Sequence, residues 1–442
     1  MSYTRITRIV LLIALSWTTA DAVVQQTATT KPVNEKVDTH TRLGIKAADA
    51  NMLKEAEKHF AAAASLAPSE PSTRNNYGAI LLRLGRTAEA RTQFEASLKL
   101  NPDQVNALTN LALIHLNLGQ PDDLRMARTL FERAAKISSD AQITQALFIT
   151  CLKLGQALRG KGVLDEAVAE LNTALSLAPT NTDAAMVYAA LAEVYEAKGQ
   201  YEKAIPAMRL AVQRDPHNEI YHFRYGLLLT DSHAPAAGIL RLEEAIKQFP
   251  DSARLWLALG IAQLTHGQNV EAENAFNRSL TLDAKLVPAL AYLGTTYAER
   301  GQYERAIGFY EQAIALNSQL AALHYLLADT ILKMSDADTT RAEKYLKRAT
   351  ELDPNLAAAY LAWGRLYVRA NRYSEAAPLL ERAVSLQPEL LEAHYQLSRV
   401  LVKLKRTDEA NRELAIFKQL SEKQKARNES REIVRRLANV RF

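Results

Sequence analysis

The chain has 442 residues, 48% of them hydrophobic, with a formal net charge of +5 and one cysteine. That length exceeds what a single conventional core holds, and a charge this mild, with much of it in the last segment, gives no support for general nucleic-acid binding. Cys151 alone permits neither an internal disulfide nor a cysteine-based metal cluster; at helical spacing between Ile149 and Leu154 it reads as a small core residue.

Arg5 and Arg8 precede the apolar run Ile9–Leu15, followed by Ala20-Asp21-Ala22. Positive, apolar and A-x-A parts in that order predict a secretory signal peptide over 1–22, cut after Ala22. The apolar run is short for a membrane span, so an uncleaved anchor is the alternative. With no cysteine after that run, a lipoprotein anchor is excluded. Export to a periplasm or to the outside is the expected localisation. Residues 23–36 are polar, rich in Thr and Gln, and predict a disordered linker.

From about Val37 to Ser421 one segment recurs about every 34 residues. Its endings are Leu66–Pro68, Leu100–Pro102, Leu177–Pro179, Arg214–Pro216, Gln248–Pro250, Leu352–Pro354 and Leu386–Pro388, with Leu282–Ala284 and Leu316–Ser318 in register without proline. A fixed period of this size means stacked supersecondary units. In Val287–Ser318, Leu290, Leu293, Gly294 and Tyr297 share one helical face, Gly301-Gln302-Tyr303 turns, and Ala306, Tyr310 and Ala313 share a face of a second helix. Few β-branched runs interrupt this pattern, so the fold class is all-α.

Residue types within the frame have packing reasons. Gly or Ala recurs in the first helix (Gly44, Gly78, Ala112, Gly226, Gly260, Gly294, Gly364), where it lets a neighbour approach. Small residues recur in the second helix (Ala56, Ala90, Ala204, Ala306, Ala376), and Phe60, Phe94, Phe131, Phe276 and Tyr310 fill the space between helices. Proline ends the second helix and suits the first turn of the next.

This pattern resembles the tetratricopeptide repeat family over nearly the whole mature chain, with about eleven units. The resemblance implies a right-handed superhelical solenoid of stacked antiparallel helix pairs. Extra residues near 120–125, before the fourth unit and near 335–339 are expected as loop insertions. The resemblance also implies that the second, fifth, ninth, twelfth and thirteenth positions of each first helix face a concave groove that binds a protein or peptide. Carried onto this chain, those positions place Asn75, Asn106, Thr109 and Asn117 in the groove near the N-terminus, with Asn76 and Asn110 adjacent; amides both donate and accept, which suits an extended peptide backbone. Glu193, Glu196, Asp231, Glu299 and Asp329 make the middle acidic, with Met186, Phe223 and Tyr325 among them. Arg365, Arg369, Arg399, Lys403 and Tyr395 make the far end basic and aromatic, suited to a carboxylate or phosphate. The carboxylate clamp of chaperone-binding members is not matched, since Thr41 and Ile45 stand at two of its places.

Catalytic signals are lacking. Gly155–Lys161 approximates a phosphate-binding loop, but Gly162 stands where Ser or Thr would ligate magnesium and no strand precedes it. In the repeat frame Gly155 is the first-helix glycine and Gly162 the turn. The histidines show no metal-ligand pairing. His222, His324 and His394 share one repeat position, which argues for packing. No Gly-x-Ser-x-Gly elbow is present. No cofactor or metal is therefore expected.

Residues 422–442 carry Lys423, Lys425, Arg427, Arg431, Arg435, Arg436 and Arg441, with Ile433, Leu437 and Val440 at helical spacing. They predict a basic capping helix over the last repeat, or one that contacts an anionic lipid surface or acidic partner. Together these readings predict a non-catalytic exported scaffold or adaptor that binds a protein or peptide, for envelope, secretion or assembly machinery. The alternatives are an accessory protein of polysaccharide synthesis or export that binds an anionic glycan or its synthase, an enzyme-associated module, and self-association through the end helices.

Overall fold

The structure, a computed structural model, describes residues 31–334 and 337–438, with side chains over 33–334 and 337–425. The expected signal peptide and residues 23–30 of the expected linker lie outside the described residues. Every regular element described is α-helical. The chain divides into two compact units, 1–228 and 229–442.

In the first unit the helices are α1 (Lys31–Asp49), α2 (Leu53–Leu66), α3 (Pro71–Arg83), α4 (Thr87–Leu100), α5 (Val105–Leu118), α6 (Pro121–Ile137), α7 (Ala141–Gly160), α8 (Leu164–Leu177), α9 (Asn181–Ala197) and α10 (Tyr201–Arg214). The unit boundary falls within α11 (Glu219–Asp231). The second unit continues with α12 (Pro235–Gln248), α13 (Ala253–His266), α14 (Asn269–Leu282), α15 (Val287–Glu299), α16 (Tyr303–Leu316), α17 (Ala321–Ile331), α18 (Thr339–Leu352), α19 (Ala357–Arg369), α20 (Tyr373–Leu386), α21 (Leu391–Lys403) and α22 (Thr407–Ala438). Odd-numbered helices (A) pack on the even-numbered helix (B) that follows, as α1 on α2, α9 on α10 and α19 on α20. Successive A helices also touch, α3 with α5 and α7 with α9 in the first unit, and α13 through α21 in turn in the second. Within the second unit the A helices from α13 to α21 thus form one continuous layer.

One contact repeats inside the pairs. A Cβ added at Gly44, Gly78, Gly155, Gly260, Gly294 or Gly364 would lie 2.9, 2.7, 2.6, 2.5, 2.6 or 2.7 Å from a side-chain carbon of Phe60, Phe94, Leu171, Phe276, Tyr310 or Leu380 respectively. The B helix seats an aromatic ring or a leucine in the notch where A has no side chain, and Phe60, Phe94, Phe131, Phe276 and Tyr310 are all buried. Burying such a ring stabilises by roughly 1.5–3 kcal/mol. Between A and B the backbone is left-handed at Asn51, Gly85, Gly119, Gly162, Gly199, His233, Gly267, Gly301, Asn371 and Lys405. Glycine occupies most of these places because it adopts positive φ without a Cβ clash.

Four expectations are corrected. The segment expected as a linker up to Lys36 is helical from Lys31, since Pro32 fits a first turn and the Thr39 hydroxyl bonds the Glu35 carbonyl at 2.7 Å. The extra residues of the third and fourth units are helical turns rather than loops: α6 has 17 residues and α7 has 20, because Pro121 holds a first-turn position and the leading residues of α7 hold neither glycine nor proline. A further extension, missed by the repeat count, makes α9 17 residues long. The recurrent prolines stop B and sit in the linking turn; Pro71, Pro121, Pro235 and Pro288 hold first-turn positions instead.

The fourth correction concerns the C-terminus, where no separate capping helix starts at Glu422. With no glycine or proline after Thr407, α22 runs on for 32 residues, about 48 Å at 1.5 Å per residue. The expected apolar positions Ile433, Leu437 and Val440 lie outside the described side chains. No helix among the described residues is long and apolar enough to cross a membrane.

Candidate functional site

The A helices carry the expected groove positions, and their surroundings differ along the chain. In the first unit, α3 and α5 lie side by side, and the Asn110 Nδ2 donates to the Asn75 Oδ1 at 3.1 Å. Asn75 is only 5% exposed. The expected amide row is thus partly closed on itself: Asn75 bridges two A helices, because contact between those helices buries the fifth position. Asn76 is half-buried, Asn106 and Asn117 are exposed, and the Thr109 hydroxyl bonds the Val105 carbonyl.

The expected acidic stretch in the first unit is also changed. Glu193 on α9 accepts from Arg159 on α7 through one carboxylate oxygen and from Arg224 on α11 through the other. Its charge is balanced across three A helices. Glu196 is exposed, and Met186 and Phe223 are half-buried. Arg159 and Arg224 escaped the sequence reading because pairing across A helices depends on stacking register.

In the second unit Asp329 is paired with Lys333 at 2.8 Å, while Asp231 and Glu299 are exposed. Tyr325, half-buried on α17, has its hydroxyl held above the usual phenol range, first by burial and then by Asp329, with Arg365 acting in the opposite sense.

The basic residues of the second unit come together. Arg365 and Arg369 on α19 and Arg399 and Lys403 on α21 line one cleft of about 540 Å³, with Val368, Asn371, Tyr373, Gln396, Val400 and Val402. The Arg369 Nη1 donates to the Leu332 carbonyl at 3.0 Å, which fixes its guanidinium at the cleft wall. Arg399 lies 5.6 Å from the Tyr395 ring centre, within reach of a cation–π contact. Tyr395 does not line the cleft; it packs on Phe417 of α22 at 5.3 Å. Among the described residues none of the four cations forms an ion pair with a carboxylate. Elsewhere arginine usually does: neighbouring Arg372 is held by Glu343 and Glu375. Val402, 60% exposed, adds an apolar wall. Val368 and Val402 stand at the twelfth helix position, so the repeat frame already contained the signal for them.

The remaining candidates resolve as structure. Gly155 lies inside α7 against Leu171, and Gly162 is the left-handed turn, so this segment spends its backbone N–H groups on a helix and its end. His324 Nε2 and His394 Nε2 donate to the carbonyls of Ser318 and Pro388, each at 3.0 Å. Trp256 Nε1 and Arg74 Nε do the same to Pro250 and Pro68, also at 3.0 Å. The shared position thus supplies a donor to the carbonyl six residues earlier, in the turn between repeats. Cys151 is fully buried, and its thiol is pushed up to about 12, chiefly by burial.

Family models for the tetratricopeptide repeat match residues 41–94, 78–141 and 226–286, 147–216 and 367–424, and a TPR repeat model matches 294–335. The chain matches no curated protein. Among solved structures it is similar to yeast Tom70, with 16% identity over 92% of this chain and 98% of that one, at a TM-score of 0.45. It is also similar to a tetratricopeptide repeat protein from Parabacteroides merdae, with 19% identity over 60% of this chain and 98% of that one, at a TM-score of 0.47. A third is YrrB, described as a TPR protein with an unusual peptide-binding site, with 20% identity over 40% of this chain and 91% of that one, at a TM-score of 0.34.

Proposed function

The chain belongs to the tetratricopeptide repeat family, and we propose that it is a non-catalytic scaffold whose A-helix face holds a protein or peptide partner. The observation that carries this reading is the cleft in the second unit, where Arg365, Arg369, Arg399 and Lys403 converge and, among the described residues, none of the four is ion-paired with a carboxylate. Unpaired like charges held close repel one another, and an acidic partner relieves that cost. The leader-like start, Arg5 and Arg8 before Ile9–Leu15 and Ala20-Asp21-Ala22, supports a place outside the cytoplasm, in envelope, secretion or assembly machinery.

The test is capture of partners by the full mature chain, compared with the double charge reversal Arg365→Glu and Arg399→Glu. Both side chains stand at the cleft and make no described ion pair, so the variant keeps its helicity. Loss of the captured proteins supports the reading; an unchanged set contradicts it.

A further inference from the structure

We propose that the basic cleft of the second unit receives a Glu-x-Glu segment of a partner in extended conformation. This rests on the scaffold reading and names the chemistry of its ligand. Arg365 and Arg369 are four residues apart on α19, as are Arg399 and Lys403 on α21, which spaces each pair about 6 Å along its helix axis. Packed helix axes lie about 8–10 Å apart. The four cations therefore border a field about 6 Å long and wider than that across. A lone carboxylate or phosphate is smaller than this field: it satisfies one guanidinium edge in the bidentate manner and leaves the remaining cations unpaired.

An extended chain fits the field. Side chains on one face of a strand repeat every second residue, about 6.4–6.8 Å, close to the spacing within each cation pair. Carboxylates two residues apart then stand level with Arg365 and Arg399 at one end and with Arg369 and Lys403 at the other. Exposed Val402 beside Lys403 offers an apolar surface to the methylene stem of a glutamate. Gln396, on the same wall, donates its Nε2 to Glu392 Oε1 at 2.7 Å, which leaves its amide oxygen as the acceptor it offers to a peptide N–H. The nearby acid Asp329 is engaged by Lys333.

The experiment is fluorescence anisotropy with the full mature chain and a labelled, amidated Ser-Gly-Glu-Ala-Glu-Leu-Gly-Ser peptide. Replacing either glutamate by glutamine weakens binding about tenfold or more, as loss of a charge-assisted hydrogen bond requires. Inserting one residue between the glutamates weakens it similarly, and raising salt from 50 to 500 mM weakens it further. Arg365→Ala with Arg399→Ala, and separately Lys403→Gln, abolish or weaken binding while circular dichroism stays helical. Equal affinity for the double-glutamine peptide, or for a peptide carrying one phosphoserine and no glutamate, overturns the proposal. So does an oligogalacturonate that binds more tightly than the peptide in an Arg365-dependent manner. If the peptide fails while the Arg365→Glu, Arg399→Glu variant still loses captured proteins, the diacidic ligand is refuted and the scaffold reading stands; if that capture is also unchanged, both fall.

Discussion

At the scale of single residues the packing is close and specific. Tyr310 is buried against Gly294, and its hydroxyl lies 3.0 Å from that of Thr295. Gly294→Leu therefore overpacks the α15–α16 pair, with an expected cost of about 1–3 kcal/mol in chemical denaturation; unchanged stability would mean the notch is not shared as described. Cys151 yields a second expectation. Burial raises its thiol to about 12, so at pH 8 the native chain shows no labelling by a thiol reagent and the denatured chain labels fully. The glycine-to-ring pairing was legible in the sequence because a mid-helix glycine costs stability and recurs only for a packing reason. The Asn75–Asn110 and Arg159–Glu193–Arg224 contacts were not, because they join residues about one repeat apart on separate helices, and pairing of that kind depends on register.

Among elements, turns and helix ends decide the details. The left-handed place between A and B is filled by Lys405 between α21 and α22, at φ 60°. A side chain in that conformation costs about 1–2 kcal/mol, partly offset by the unfolded-state entropy of a glycine. Lys405→Gly is thus expected to raise stability by up to about 1 kcal/mol, read as a higher denaturation midpoint with an unchanged slope; a lower midpoint would contradict the assigned strain. Helix identity and order were plain from the 34-residue period. Helix lengths were harder to read. The extra residues near α6, α7 and α9 resemble insertions in a linear frame, yet without a breaker they extend helices, since propagation costs less than starting a new loop. The same logic carries α22 past Glu422.

For the molecule as a whole, a repeat stack separates two kinds of position. Those between helices must satisfy packing in every unit, so they recur and reveal the fold. Those on the A-helix face are not held to one packing role in every unit, so they vary from unit to unit and cannot be read from the repeat alone. That is why the tetratricopeptide architecture was legible throughout while the candidate site was legible only as a rough charge map. Of that map, the four cations of the basic end meet in one cleft, whereas Asn75 and Glu193 turn inward to partners within the chain. Outside the cleft, B helices also carry exposed apolar residues, such as Val270 on α14 at 63% exposure.

That contrast sets the most direct measurement. A photo-crosslinking amino acid is placed at Val402 in the cleft or at Val270 on a B helix, and the irradiated full chain is analysed by mass spectrometry after exposure to an envelope fraction. A partner held in the cleft gives a defined protein adduct from Val402, lost on Arg365→Glu with Arg399→Glu, and none from Val270. Equal adducts from both positions, or an adduct from Val402 indifferent to the charge reversal, would rule out the basic cleft as the partner's seat.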